Sequence, residues 1–256
     1  MLKTGLVSIT FRKRSPQEVI QLVTAAGLDA IEWGGDIHVP PGNVHHARKI
    51  ARLTMDSGLR VAAYGSYYRL AQTEPSSFDS ALETAVEIGA PTIRVWAGSK
   101  NSNDASEEDW ELVVKDGIRI AELAALAGLT ISFEFHDLTL NDHGLASARL
   151  INMIRKENVL TLWQPPVGSS MPENLDELQM VLKWTGNLHV FHWDPGYTRL
   201  PLSEGEINWL EYIQLVKTTG RDHYLLLELV QDDLPESFLR DAQTLKLWQK
   251  KLEVGK

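Results

Sequence analysis

Four apolar, strand-like runs in the second half of the chain each carry a residue that can bind a metal ion. The runs are TISFEFHD, VLTLWQPP, LHVFHWDPG and HYLLLELVQ, and the candidate ligands are Glu134, Gln164, His192 and Glu228. Successive candidates are 30, 28 and 36 residues apart. Each interval has room for one strand and one returning helix. Because parallel strands joined in this way end on one side of a sheet, we predict that the four side chains converge on one site.

The same helix-to-strand transition recurs along the whole chain. A residue suited to the left-handed conformation that ends helices precedes each of seven apolar runs. These residues are Gly27, Gly58, Gly89, Gly128, Asn158, Gly186 and Gly220. Three candidate ligands lie six residues past such a position, and the fourth lies eight past it. The even offsets predict that all four side chains lie on the same face of their strands.

This repeat predicts a (β/α)8 TIM barrel that forms a single domain over residues 1–256, which is a usual length for that fold. Caps and apolar spacing predict helices at 16–26, 43–57, 77–88, 106–127 and 234–252. The loop after the first apolar run, TFRKRSP, contains neither GxGxxG nor GxxxxGK[ST]. Its sequence therefore argues against an open sheet that binds nucleotides.

Composition excludes several other kinds of protein. The net charge is −9, whereas contacts to a nucleic-acid backbone need clustered lysine and arginine, so we expect no nucleic-acid partner. The chain has no cysteine, which excludes disulfides and thiolate metal sites. No apolar run has membrane-spanning length, and basic residues follow the first run instead of preceding it. We therefore expect a cytoplasmic protein with no membrane partner, and homo-oligomer formation is left open.

The candidate ligands also suggest the chemistry. A glutamate inside ISFEF, and another inside LLLEL, would be costly to bury without a cation or an arginine partner. A histidine in an apolar run can equally be a hydrogen-bonded core residue. His192 is a candidate metal ligand because it lies at the same offset in the repeat as Glu134 and Gln164. Oxygen and nitrogen ligands without sulfur suit Mn²⁺, Co²⁺, Mg²⁺ or Zn²⁺. Two carboxylates beside such an ion can transfer protons while the ion polarises a carbonyl.

Most of the chain resembles the xylose-isomerase-like superfamily of sugar isomerases and epimerases, in particular the tagatose 3-epimerase type. The resemblance is carried by GLDAIEWGGDIHVP, SYYRL, IRVWAG, FEFH, WQPP, FHWD and LLLEL. It implies a divalent metal, with Mn²⁺ as the first choice, bound by Glu134, His192 and Glu228. It also implies that Glu134 and Glu228 are the catalytic residues, which transfer a proton through an enediolate of a keto sugar.

Gln164 departs from the family pattern, which has an aspartate at this position. Val167 stands where many members have a histidine. An amide in place of a carboxylate keeps an oxygen donor but removes one negative charge, so metal affinity should fall. This departure leaves open a subgroup with its own substrate.

We expect aromatic, histidine and arginine side chains at or beside strand ends to surround the substrate. Aromatic faces suit the C–H faces of sugars, although tryptophans also fill cores, and arginines can bind a phosphate or carboxylate or pair with acids. The expected substrate-binding residues are Trp33, His38, Tyr64, Arg69, Trp96, His136, Trp163, Trp193 and Arg199.

Three classes of function fit these features. The first is a metal-dependent sugar isomerase or epimerase with a small-molecule sugar as its partner. A metal-dependent lyase or dehydratase on the same barrel would use the same enolate chemistry. The third class, suggested by Gln164, is a metal-poor, non-catalytic carbohydrate-binding relative. A repair enzyme similar to endonuclease IV ranks below these because the chain is acidic.

Overall fold

Within residues 1–254, which the computed structural model describes, eight parallel strands pair in chain order and close into a barrel. The strands are β1 (Leu2–Val7), β2 (Ala30–Gly34), β3 (Arg60–Arg69), β4 (Thr92–Trp96), β5 (Thr130–Glu134), β6 (Val159–Trp163), β7 (Thr185–Val190) and β8 (His223–Leu227). The pairing of β1 with β8 closes the sheet. The predicted (β/α)8 fold is therefore confirmed.

A helix follows each strand and packs on the outside of the barrel. The helices are α1 (Pro16–Ala26), α2 (Val44–Asp56), α3 (Pro75–Ile88), α4 (Glu107–Leu126), α5 (Gly144–Ile154), α6 (Met171–Val181), α7 (Glu206–Lys217) and α8 (Pro235–Val254). The predicted bounds agree to within two residues. No helix in the described part of the chain is both long and apolar enough to cross a bilayer.

Local sequence determines where several helices begin. Ser15 accepts a hydrogen bond from the backbone of Glu18, whose side chain bonds back to Ser15, and Pro16 occupies the first turn of α1. Ser106 and Asp109 form the same capping box at the start of α4. Each box satisfies backbone N–H groups that a helix start would otherwise leave unpaired.

The helix ends follow the predicted repeat except before β6 and β7. The backbone is left-handed, as predicted, at Gly27, Gly58, Gly89, Gly128 and Gly220. Arg155, rather than Asn158, has this conformation after α5, while the Asn158 side chain bonds to two carbonyl groups. Gly186 lies inside β7. The prediction that counted residues from Gly186 therefore assigns the side chains of β7 to the wrong faces of the strand.

The barrel interior contains an apolar layer and a charged layer. Val7, Ala30, Ala62 and Leu226 come from four strands and form an apolar cluster separate from the main core. Glu32 lies two residues beyond Ala30, and Glu228 lies two residues beyond Leu226. Because side chains alternate along a strand, these positions also point inward. The charged layer therefore lies at the carboxyl ends of the strands, where TIM-barrel active sites occur.

Candidate active site

A cavity of about 550 Å³ lies at the carboxyl ends of the strands. Its wall contains six of the residues predicted for the site: Trp96, Glu134, His136, Gln164, Trp193 and Glu228. The other lining residues are Ile9, Arg12, Tyr67, Arg94, Phe135, Asp137, Asp142, Pro165, Pro166, Val167, Phe191, Tyr197 and Leu229. The cavity thus brings buried carboxylates and aromatic side chains together in a space that fits a sugar-sized molecule.

Arg94 on β4 links two carboxylates from other strands. Its Nε lies 2.8 Å from Glu32 Oε1, and its Nη1 donates to Glu134 Oε2. Only 2% of the arginine is exposed, and Glu32 is fully buried. A buried charge needs a partner of opposite sign, and a guanidinium can bind two carboxylates through different nitrogens. Arg94 is therefore a cation shared by these two glutamates.

His189 on β7 links the same Glu32 to Glu228. His189 Nε2 lies 3.2 Å from Glu32 Oε2, and His189 Nδ1 lies 3.2 Å from Glu228 Oε2. The histidine has no exposed surface. Glu32 is therefore bound on one oxygen by Arg94 and on the other by His189.

These contacts shift the pKa values of the buried groups. Burial would raise the pKa of Glu32, but His189 and Arg94 lower it to about 2. Burial would lower the pKa of His189, but Glu228 and Glu32 raise it to about 10. Burial also opposes ionisation of Glu228, yet the charge of His189 lowers its pKa. The network thus brings the carboxyl groups of Glu32, Glu134 and Glu228 together with the cationic groups of Arg94 and His189.

The donor set fits a divalent cation. Glu134, His189 and Glu228 each place a ligand atom within 4.8 Å of those of the other two, and all three residues are buried. Among the described residues, His189 Nδ1 has no hydrogen-bond partner of good geometry. Its contact with Glu228 is an ion pair whose geometry does not make a hydrogen bond. Two carboxylates and one imidazole suit Mn²⁺, Mg²⁺, Co²⁺ or Zn²⁺. A cation bound to Nδ1 would take the place of the proton there.

Gln164 lines the same cavity as Glu134 and Glu228. It follows β6 and is 7% exposed. Its amide nitrogen donates to the carbonyl oxygen of Phe135 at 3.0 Å, which leaves the amide oxygen for a ligand. The side chain at this position is therefore uncharged, and its amide oxygen is not used by the contact with Phe135.

His192 does not join the cluster, which corrects the four-ligand prediction. Asn187 donates across the barrel to the carbonyl of Ala62, so the inward positions that follow on this segment are His189, Phe191 and Trp193. His192 points the other way and lines a separate cavity of about 70 Å³. A Cβ on Gly205 would lie 2.8 Å from His192 Nδ1, which places the ring against the segment before α7. The inward histidine of β7 is therefore His189.

Four residues predicted to contact substrate are instead buried away from the cavity. Tyr64 donates to the carbonyl of Val39, and the His38 ring lies between Ser8 Oγ and the Arg14 carbonyl. Trp33 packs edge-on against His38. Trp163 packs against Trp209 and Tyr212. These four side chains fill the core because strand alternation or loop geometry turns them away from the cavity.

Two predicted arginines support the cavity wall without lining it. The guanidinium of Arg69 lies 3.6 Å from the ring centre of Trp96. Arg199 lies 5.8 Å from the ring centre of Trp193 and pairs with Asp233 at 2.5 Å. Both arginines therefore support tryptophans that line the cavity, in place of the direct substrate contact that was expected.

His136 has a fixed orientation at the cavity wall. Its ring stacks on Trp96 with 5.1 Å between ring centres. Its Nδ1 lies 2.8 Å from the carbonyl oxygen of Asp137 and 2.5 Å from the Asp137 carboxylate. Nδ1 is thus occupied as a donor, and Nε2 is the nitrogen left to exchange a proton with a ligand.

Sequence reasoning missed Glu32 and His189 as site residues and did not assign Arg94 to the site. Each lies in a short apolar strand, within AIEWG, TIRVW or LHV. The cost of burying a charge, which identified Glu134 and Glu228, applies equally to these three residues. Two further lining residues lack such a signal, because Arg12 lies in a basic loop after β1 and Tyr67 lies at the polar end of β3.

Comparison with known proteins agrees with this architecture. The model of the xylose isomerase-like TIM barrel family matches residues 20–253. Over 262 residues the chain is 24% identical to 3-dehydroshikimate dehydratase of Bacillus anthracis, which covers 89% of this chain and 90% of that protein.

Solved structures share the fold at low sequence identity. The crystal structure of the probable 3-DHS dehydratase AsbF of Bacillus anthracis has a TM-score of 0.79 at 20% identity and covers 96% of this chain and 99% of that chain. A xylose isomerase-like protein of Mycobacterium smegmatis in complex with magnesium has a TM-score of 0.74 at 15% identity. The match covers 98% of this chain and 97% of that chain. D-allulose 3-epimerase of Methylomonas sp. has a TM-score of 0.72 at 13% identity. The match covers 96% of this chain and 98% of that chain. Since the family model spans nearly the whole barrel, this chain belongs to the xylose isomerase-like TIM barrel family.

Proposed function

We propose that this chain is a divalent-metal-dependent enzyme that removes a proton next to the carbonyl group of a sugar-sized substrate. The observation that carries the proposal is the cluster of Glu134, His189 and Glu228, whose ligand atoms lie within 4.8 Å of one another beside a cavity of about 550 Å³. Buried carboxylates in a cavity are suited to proton transfer because few waters compete with the substrate for them.

The side chains divide into metal ligands, bases and wall residues. Glu134, His189 and Glu228 would hold the ion, with Gln164 as an additional oxygen donor. The ion would polarise the carbonyl oxygen and stabilise the charge left when the proton is removed. Glu134 and Glu228 would accept and return protons, and Trp96 and Trp193 would pack against the C–H face of the substrate. The magnesium complex of a family neighbour supports a divalent ion, and Mn²⁺ is the first ion to test.

The first candidate reaction is isomerisation or epimerisation of a keto sugar. Glu134 and Glu228 both line the cavity and both belong to the group of candidate metal ligands. One glutamate can therefore remove a proton from the substrate, and the other can return a proton at a different position. The epimerases among the structural neighbours are consistent with this reaction.

The second candidate is a dehydratase, which is favoured by an asymmetry between the two glutamates. Arg94 binds Glu134 directly, whereas Glu228 contacts the histidine. The hydrogen bond from Arg94 occupies an oxygen of Glu134, whereas the contact of His189 with Glu228 is not a hydrogen bond, so Glu228 would act as the single base. His136, held by Asp137, could then protonate a leaving hydroxyl group. The similarity to 3-dehydroshikimate dehydratase supports this reaction.

One experiment separates these candidates. The purified protein, stripped with EDTA and reloaded with Mn²⁺, is incubated in D₂O with a panel of ketohexoses and ketopentoses and, separately, with 3-dehydroshikimate. Deuterium incorporation with sugar interconversion would support the isomerase or epimerase, and loss of water to give an aromatic product would support the dehydratase. Failure to bind Mn²⁺, together with no exchange on any substrate, would favour a non-catalytic binding protein.

The two histidines of the β7 segment give a sharp prediction. His189→Ala should weaken Mn²⁺ binding at least about 100-fold because it removes a nitrogen ligand from a buried site. His192→Ala should bind Mn²⁺ as the wild type does, because His192 faces α7. Titration followed by the electron paramagnetic resonance of free Mn²⁺ measures both affinities. The opposite pattern would restore His192 as the ligand and remove His189.

Gln164 should limit the affinity for the ion. Gln164→Asp adds one negative charge beside the cation, and we expect it to bind Mn²⁺ about tenfold more tightly. Calorimetric titrations of the two proteins at one pH and ionic strength measure the difference. Equal affinities would show that Gln164 does not contact the ion.

A further inference from the structure

Among residues 1–254, Glu32 is the one side chain that contacts both Arg94 and His189. Its Oε1 accepts from Arg94 Nε at 2.8 Å, and its Oε2 lies 3.2 Å from His189 Nε2. The residue has no exposed surface and does not line the cavity. It therefore contacts groups of the site without access to a substrate.

These contacts fix the direction of two other side chains. Because His189 Nε2 faces Glu32, the opposite ring nitrogen, Nδ1, faces Glu228. Because Arg94 Nε is held by Glu32, its Nη1 reaches Glu134. The two side chains that Glu32 orients are thus the ones that contact the two candidate bases.

We infer that Glu32 is a positioning residue of the metal centre, which holds His189 with Nδ1 toward the ion and holds Arg94 against Glu134. This inference rests on the proposed metal site. A carboxylate behind a metal-binding histidine fixes the tautomer and orientation of the ring. Here the same carboxylate also orients a guanidinium, so it determines how Arg94 is placed relative to the ligand Glu134.

Glu32→Gln tests the inference. Arg94 and His189 face different oxygens of Glu32, so an amide in the same orientation would place its NH2 donor opposite one of them and accept from the other only. We expect Mn²⁺ affinity to fall about 10–100-fold. Affinity is measured by the electron paramagnetic resonance of free Mn²⁺, and the melting temperature is measured separately in EDTA.

Two further variants separate positioning from charge and from general stability. Glu32→Asp keeps the charge but is one methylene shorter and cannot reach both partners, so its Mn²⁺ affinity should also fall. Asp241→Asn is the matched control, because Asp241 is a carboxylate that is 3% exposed and bonds to the backbone of Leu202 and to Arg240. It should lower the melting temperature while leaving Mn²⁺ affinity at the wild-type value.

The outcomes distinguish the inference from the proposed function. Wild-type affinity in Glu32→Asp or in a folded Glu32→Gln protein would overturn the positioning role and leave the metal site intact. A fall in affinity in Asp241→Asn as large as that in the Glu32 variants would also overturn it. If the wild type itself does not bind Mn²⁺, the proposed metal centre fails and the role of Glu32 fails with it.

Discussion

Glu134→Gln and Glu228→Gln should each lower the rate of substrate proton exchange by about 10²–10⁴-fold, the usual contribution of a positioned base. Glutamine keeps the shape of glutamate but cannot accept a proton at neutral pH. Each variant also removes one charged metal ligand, so exchange should be measured at saturating Mn²⁺ and substrate. NMR detection of deuterium incorporation from D₂O gives the rate directly.

The relative size of the two effects identifies the reaction. Comparable losses in both variants would indicate a two-base isomerase or epimerase. A much larger loss in Glu228→Gln would indicate the single-base dehydratase, because Arg94 already donates a hydrogen bond to Glu134. Glu111, exposed on α4, supplies the control, and Glu111→Gln should exchange at the wild-type rate. Wild-type exchange in either cavity variant would exclude that glutamate as a base.

Arg94→Met should lower the free energy of unfolding by about 3–5 kcal/mol in EDTA, the usual cost of leaving a buried charge without its partner. The variant removes the cation that binds both Glu32 and Glu134, and Glu32 has no exposed surface through which water could solvate it instead. Against a total stability of about 5–15 kcal/mol for a typical domain, this is a large fraction. Urea unfolding followed by circular dichroism measures the change.

Mn²⁺ should stabilise Arg94→Met more than it stabilises the wild type. Without the guanidinium the network has one more net negative charge, so a divalent cation gains a stronger electrostatic interaction and binding adds more to stability. Arg52 is exposed on α2, and Arg52→Met should stay within about 0.5 kcal/mol of the wild type. A change below 1 kcal/mol in Arg94→Met would show that this arginine does not compensate the two glutamates.

Sequence alone predicted the fold because the relevant signals are local. Capping residues such as Ser15 and Ser106 mark helix starts, and left-handed glycines mark most helix ends. Eight repeats of helix and strand leave a closed parallel barrel as the architecture that buries every apolar face. Glu134 and Glu228 were recognisable as cavity residues because a charge in a buried strand carries a cost that only a partner can offset.

Tertiary structure alone decided which histidine joins those glutamates. The face on which a side chain lies alternates with every residue, so an error of one position in where a strand begins reverses the prediction. Gly186 resembles a loop glycine in sequence but lies inside β7, and the inward residue is His189 instead of His192. The same alternation directs Trp96 to the cavity and Trp163 to the core.

The pairing of charges across the barrel was also decided by tertiary structure. Arg94 lies 62 residues from Glu32 and 40 from Glu134, and His189 lies 157 residues from Glu32. No local pattern encodes such contacts, because they form only when the sheet closes and brings the ends of different strands together. Sequence therefore determined which residues must find a partner, and closure of the barrel determined which partner each one found.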